Sequence, residues 1–178
     1  MSLRCAAQTG GSALFVSAAA VETMVGFRQT RSQDKEAGGQ LFACFSGPDV
    51  VIVEATPPTI LDYRSRCGFR PNRWLQRGAI MNRYRSGLHF VGDWHTHPED
   101  QAKPSSEDIC GMQDCFKRSA HDLTAFVMII VGIAPPPAGW YVGAITGTSV
   151  QRLVCEVDGG VHPLAANPAN RGNSVAAR

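Results

Sequence analysis

Between residues 13 and 157 the apolar positions come in short blocks whose period shifts between two and 3.6, as expected of a chain that mixes strands with helices. Leu14–Val16 reads as a short strand. Ser17 then stands where an N-cap belongs, and Val21, Met24 and Val25 recur at helical spacing, so a helix is expected from there to about Thr30. Gly38-Gly39 breaks the chain ahead of a strand over Gln40–Phe45. The turn Gly47-Pro48-Asp49 follows, and Val50–Ala55 makes the second arm of a hairpin. Trp74–Arg85 is expected to be helical, Leu88–Trp94 extended, and a further helix should run from Ser105 to about Ser119. Thr124–Ile133 is rich in β-branched and apolar residues, the composition of a buried central strand. Trp140–Thr146 and Val150–Val157 read as two more strands. Helices and strands alternate early and hairpins dominate late. The expected class is therefore α/β, a mixed β-sheet flanked by helices, and not a doubly wound parallel fold.

The two ends lack this pattern. Residues 1–12 are small, polar and Gly-rich and are expected to be flexible. Residues 161–178, rich in Ala, Asn, Pro and Gly, are expected to form a disordered tail. Residues 13–160 form one domain, with no internal repeat and no linker.

Composition narrows the picture modestly. A chain of 178 residues is long enough to bury a core without staples. A net charge of +2 does not mark a nucleic-acid binder or a membrane-surface protein. No segment reaches the ~18 consecutive apolar residues of a membrane span. Ala13–Phe27 is broken by Glu22 and lacks the basic start of a signal peptide. The six cysteines, Cys5, Cys44, Cys67, Cys110, Cys115 and Cys155, include no Cys-x-x-Cys pair. They are expected to be reduced thiols in a cytoplasmic protein, and no zinc finger is formed.

The chemistry concentrates in Gly92-Asp93-Trp94-His95-Thr96-His97-Pro98 and Pro104-Ser105-Ser106-Glu107-Asp108. In an extended chain, residues two apart point the same way, so the imidazoles of His95 and His97 can share one ion. Pro98 ends the strand, a loop turns the chain back, and Asp108 falls in the first turn of the next helix, where its carboxylate can supply a third ligand. Two histidines and a carboxylate leave a fourth position open, as catalytic zinc requires. Taken singly, a His-x-His is common and Ser105-x-x-Asp108 is an ordinary capping box. The combination carries the argument.

That combination, His-x-His-Pro-x6-Ser-x-x-Asp, resembles the metal motif of JAMM proteins, the catalytic branch of the MPN family of metalloproteases. The resemblance spans roughly residues 13–157. It implies one zinc ion per chain, bound by His95, His97 and Asp108. It implies that Ser105 hydrogen-bonds the tetrahedral intermediate. The family's upstream glutamate matches Glu36 in Glu36-Ala37-Gly38-Gly39-Gln40-Leu41. The resemblance makes Glu36 the group that takes a proton from the zinc-bound water and passes it to the leaving amine. One carboxylate can serve as base and acid in turn. The implied fold is similar to that of cytidine deaminases. The implied substrate is an amide or isopeptide bond at the C-terminal tail of a ubiquitin-like or conjugated protein. Phe-Val-Gly-Asp-Trp-His-Thr-His-Pro resembles the stand-alone bacterial branch, whose members include deconjugating peptidases of cyclic-oligonucleotide antiphage defence. A peptidase that trims a sulfur-carrier protein, a RadC-like protein and a non-catalytic MPN scaffold are the alternatives. A RadC-like protein is expected to carry a helix-hairpin-helix ahead of the domain, which the residues before 13 do not resemble, and the complete donor set counts against a scaffold.

Other residues are expected to be structural. His89 lies about 20 Å along the strand from His95. Asp93, Glu99, Asp100 and Asp114 suit surface positions. Trp94 points away from the histidines into the core, and Cys110 and Cys115 are expected to be buried. Arg64 to Arg85 holds seven arginines and no acid. This is either a solvated basic face or a docking surface for an acidic partner.

Overall fold

The computed structural model describes residues 1–8 and 10–160. In chain order the elements are β1 (Ser2–Ala6), β2 (Leu14–Val16), α1 (Ala18–Val25), β3 (Gly38–Ser46), β4 (Asp49–Ala55), β5 (Tyr63–Ser65), β6 (Gly68–Arg70), α2 (Arg73–Arg85), β7 (His89–Thr96), α3 (Ser106–Arg118), β8 (Phe126–Val131), β9 (Trp140–Ile145), β10 (Val150–Arg152) and β11 (Val154–Asp158). Nine strands form one mixed sheet in the order β10-β9-β8-β7-β3-β4-β2-β1-β11, and β5-β6 is a separate hairpin. The pairs β7/β8 and β2/β4 are parallel and the others antiparallel. This is the expected mixed α/β architecture.

The sheet curls until its ends approach. Val150–Val157, expected as one strand, is two: Arg152 pairs with Gly143 on one edge and Val154 pairs with Ala6 on the other. Leu153 alone separates them, so one short crossing almost closes the sheet on itself.

Residues 1–12 depart from expectation. Ser2–Ala6 is a strand between β2 and β11, with Leu3 and Cys5 fully buried. Its five residues are too few for a pattern to show, and its hydrogen-bond partners lie far along the chain. Cys5 faces Cys155 across the β1/β11 register, and the two form a disulfide, leaving Cys44, Cys67, Cys110 and Cys115 free. The expectation of six reduced thiols is therefore wrong, and with it goes the cysteine argument for a cytoplasmic location. Cys110 is exposed, also against expectation. The expected tail, 161–178, lies outside the described residues. Among the described residues no helix is long and apolar enough to cross a membrane.

Two apolar layers pack against the sheet. Leu3, Val16, Met24, Trp94, Ile129 and Val142 belong to one, covered by α1. Phe126, Met128 and Ile130 belong to the other, with Ile109 and Phe116 of α3 against it. β8 supplies side chains to both, which is why its sequence is an unbroken apolar run.

The helix α1 stops at Val25, short of Thr30. Its start is as expected: Ser17 Oγ accepts from the Ala20 amide at 3.2 Å. Beyond Gly26 the chain peels away and carries Gln29 into the interior, where it is buried beneath β7. A tertiary hydrogen bond there replaces one more helical turn.

Candidate metal centre

The site forms where the head of β3, the tail of β7 and the head of α3 meet. β3 and β7 are antiparallel neighbours, with Gly38 opposite His95. Gly38 and Gly39 are small for a reason: a Cβ on Gly38 would run into the Phe69 ring, and one on Gly39 into Thr56. Glu36, just ahead of β3, is thereby carried to the end of β7. In β7, Gly92 has φ +143 and lies against the Val127 backbone beside a bulge in the β3 pairing. A side chain there would be strained as well as blocked.

β7 runs to Thr96, two residues past its expected end, so His95 lies inside the strand. His97 continues the alignment, its amide donating to the Val131 carbonyl at 3.0 Å. The two rings therefore project together, with Nε2 atoms 3.1 Å apart. Ser105 caps α3 in a full capping box: its Oγ accepts from the Asp108 amide at 3.1 Å, while its own amide and hydroxyl both donate to Asp108 Oδ2 at 2.7 Å. This aims Asp108 at both rings, with Oδ1 3.3 Å from His95 Nε2 and Oδ2 3.5 Å from His97 Nε2. Glu36 Oε1 stands 3.6 Å from His97 Nε2. All five sequence-predicted residues thus meet in one place.

The donor spacing fits a metal ion. Four ligand atoms at 2.0–2.1 Å around tetrahedral zinc are about 3.3 Å apart. The edges among His95, His97 and Asp108 run from 3.1 to 3.5 Å, and Glu36 Oε1 stands just outside, 3.6 Å from His97. Glu36, His95 and His97 each offer a ligand atom within 4.8 Å of the others. Asp108 comes close to both imidazoles.

Electrostatics separates the two carboxylates. Burial pushes Glu36 up to about 7, with the Asp108 charge adding to the shift and His95 opposing it. At Asp108 burial also disfavours the charge. The His95 ring and the two hydrogen bonds from Ser105 outweigh it and hold that carboxyl well below the usual range. Burial and the neighbouring His95 lower the His97 pKa, which favours the neutral ring that a metal needs. The site therefore sets a carboxyl biased toward its anionic form and a His97 ring biased toward its neutral form beside a second carboxyl whose pKa is pushed up to about 7.

Several supporting residues escaped the sequence reading. Thr96, between the histidines, binds Ala37 and Gln29. Arg64 Nε donates to the Glu36 carbonyl at 2.7 Å, and the Ser65 carbonyl accepts from the Glu36 amide at 2.7 Å. Arg66 similarly holds the carbonyls of Arg31 and Ser32. Arg83 pairs with Glu54 at 2.6 Å. The arginine run is thus partly a brace for the segment that carries Glu36. Arg70, Arg73, Arg77 and Arg85 remain exposed. Trp94 is fully buried as expected, its Nε1 donating to the Thr56 carbonyl. Asp93, expected at the surface, is half-buried with Oδ1 shut off from solvent.

Comparison with known proteins agrees with the geometry. The family of prokaryotic homologs of the JAB domain matches residues 18–151. A CD-NTase/cGAS isopeptidase of Enterobacter hormaechei is 31% identical over 130 residues, covering 72% of this chain and 71% of that protein. A CD-NTase/cGAS isopeptidase of Pseudomonas aeruginosa is 33% identical over 106 residues, 58% of this chain and 67% of its own length. A solution structure of a protein from Desulfitobacterium hafniense superimposes with a TM-score of 0.55 at 26% identity, covering 77% of this chain and 87% of that one.

Proposed function

The chain belongs to the prokaryotic JAB-domain family, and on that premise we propose that it is a zinc-dependent isopeptidase acting at the C-terminus of a ubiquitin-like protein or of a protein conjugated in the same manner. The observation that carries this reading is the pair of carboxylates around two imidazoles, one held anionic and the other poised near neutrality.

His95, His97 and Asp108 would hold one zinc ion per chain. Asp108 is preferred to Glu36 as third ligand because it approaches both rings, at 3.3 and 3.5 Å, whereas Glu36 approaches His97 alone, at 3.6 Å. The ion, when bound, supplies Lewis-acid chemistry, polarising the amide carbonyl and making water acidic enough to ionise near neutrality. Glu36 stands beside the ligands, and among the described residues no side chain hydrogen-bonds its carboxylate. It accepts a proton from the attacking water and returns it to the departing amine, so no net proton is consumed at the residue. Burial, by bringing its pKa near the working pH, serves both halves of that exchange. Ser105 positions Asp108 through its hydroxyl, and in this reading the same hydroxyl turns from Asp108 to donate to the developing oxyanion.

On α2, Trp74, Leu75 and Tyr84 are exposed beside Arg73 and Arg77. This basic and apolar face, on the helix that follows the β5-β6 hairpin bracing Glu36, suits an acidic partner or protein substrate. Changing both arginines to Glu should raise KM for a whole-protein substrate and leave a short peptide substrate unaffected.

The test is zinc content with cleavage of a ubiquitin-like fusion. Wild type should carry about one zinc per chain and His97→Ala should carry none. Glu36→Gln should keep its zinc while losing about 100-fold or more in rate. A wild-type protein that takes up no zinc would instead be a non-catalytic scaffold.

A further inference from the structure

Among the described residues no side chain hydrogen-bonds the Glu36 carboxylate, yet it points at the ligands, with Oε1 3.6 Å from His97 Nε2. The chain that leads to it, residues 26–37, joins α1 to β3 without helix or strand. The aim of the carboxylate is therefore set by the main chain on either side of the Glu36 Cα.

Two peptide groups flank that Cα, and each of their polar atoms is tied. In the first, the Lys35 carbonyl accepts from Arg64 Nη2 at 3.2 Å and the Glu36 amide donates to the Ser65 carbonyl at 2.7 Å. In the second, the Glu36 carbonyl accepts from Arg64 Nε at 2.7 Å and the Ala37 amide donates to Thr96 Oγ1 at 3.0 Å. One guanidinium thus spans the carbonyls before and after Glu36. Peptide groups are planar, so holding both planes fixes φ and ψ of Glu36 and with them the direction of its Cβ.

The guanidinium is anchored in turn. It lies 5.8 Å from the centre of the Phe27 ring, and Phe27 packs 6.0 Å from Trp94, the buried neighbour of His95. The hairpin that carries Arg64 stands apart from the main sheet, and a two-stranded hairpin is marginal by itself. Gln29 Nε2 steadies it by donating to the Arg66 carbonyl at 2.8 Å, and the Phe69 ring lies where a Cβ of Gly38 would be. The shifted Glu36 pKa has burial as its main cause, with His95 opposing and Asp108 adding, and Arg64 is not among the causes. Arg64 therefore acts on Glu36 through the backbone and not through its charge.

We infer that Arg64 is a positioning residue for the general base, its planar fork clamping the two carbonyls that flank Glu36 so that the carboxylate faces the metal ligands. This rests on the hydrolase reading above. The fork is essential to the role: a lysine ammonium is a single point of charge and lacks the rigid pair of donors and the flat face that rests on Phe27. A misplacement of about 1 Å in a reacting group costs on the order of 100-fold in rate, so the effect belongs in kcat.

The experiment measures kcat and KM separately on a ubiquitin-like fusion, with zinc content and circular dichroism to establish that each variant is loaded and folded. Arg64→Ala should keep its zinc and hold KM within about twofold while losing about 10- to 100-fold in kcat. Arg64→Lys should stay at least about fivefold below wild type in kcat. Guanidinium ion at millimolar concentration should restore part of the Arg64→Ala rate in a saturable way, where ammonium does not and wild type does not respond. Hydrogen exchange over residues 33–38, read on zinc-loaded protein without substrate, should quicken in Arg64→Ala. Undiminished kcat in folded Arg64→Ala, a loss that appears in KM instead, or wild-type kcat in Arg64→Lys would overturn the positioning role. Should Arg64→Ala not fold, Arg64→Lys decides by the same criterion. A wild type that binds zinc but cleaves nothing would sink the hydrolase reading; faster exchange in Arg64→Ala would then leave the clamp standing, and unchanged exchange would remove it as well.

Discussion

Thr96 and Ala37 hold each other at two points. The Ala37 amide donates to Thr96 Oγ1 at 3.0 Å, and the Thr96 amide donates to the Ala37 carbonyl at 2.8 Å. Thr96 separates the two histidines and Ala37 follows Glu36, so this pair sets the base against the ligands. The Thr96 hydroxyl then donates to Gln29 Oε1 at 3.0 Å, and all three residues are buried.

Replacing that hydroxyl should loosen both fold and site. Thr96→Val keeps the shape but leaves the Ala37 amide and the Gln29 oxygen unpaired in the interior. A loss of about 1–3 kcal/mol is expected from urea unfolding, with Thr96→Ser close to wild type. An unchanged urea midpoint for the valine variant would show that the hydroxyl is dispensable.

Metal addition should distinguish the two carboxylates. Zinc at about 100 times its Kd should stabilise wild type by about 2.7 kcal/mol. The Glu36→Gln variant should show a similar rise in melting temperature, and Asp108→Ala should show little. The opposite pattern would make Glu36 the third ligand.

Asp93 should leave a signature in the pH dependence of the metal-free protein. Burial pushes its pKa to about 7, against 3.8 in the unfolded chain, with His95 opposing the shift. The folded state binds this proton more tightly, so ionisation penalises folding fully above about pH 7, and the penalty fades as pH falls toward 3.8. Asp93→Asn should therefore exceed wild type in stability at pH 8 by at least ~1.4 kcal/mol, the equivalent of one pKa unit. The gap should close on acidification, and melting curves between pH 8 and 4.5 would show it. A gap independent of pH would place the ionisation elsewhere.

The Cys5–Cys155 bridge joins residues 150 apart in sequence. Thiol counting on the denatured, unreduced protein should find four free cysteines and, after reduction, six. Reduction, or Cys155→Ser, should cost about 2–4 kcal/mol through the greater freedom of the unfolded chain. Protein purified without oxidation that shows six thiols and undiminished stability would make the bridge incidental.

The metal constellation was legible because its causes are local. The parity of His95 and His97 follows from strand geometry. The aim of Asp108 follows from a capping box within four residues, and the position of Glu36 from a Gly-Gly that only a close strand approach explains. The resemblance those residues carry then supplied zinc and a substrate class. The arginine run was harder to read. Charge density alone does not distinguish Arg64, tied to the Glu36 carbonyl, from Arg77, exposed on α2.

The sequence by itself determined the order of most elements, the alternation that buries one face of each, and which polar residues share the face at the end of β7. Periodicity says which side of an element avoids water; it does not say which distant segment covers that side. For that reason the tertiary structure alone decided that β1 joins the sheet, that Val150–Val157 divides between opposite edges, and that Cys5 meets Cys155. It alone decided that Gln29 leaves its helix for Thr96, and that Asp93 Oδ1 is shut off from solvent without a hydrogen bond. Each of these depends on a contact between residues remote in the chain, and the energy of such a contact is written in neither residue's neighbours.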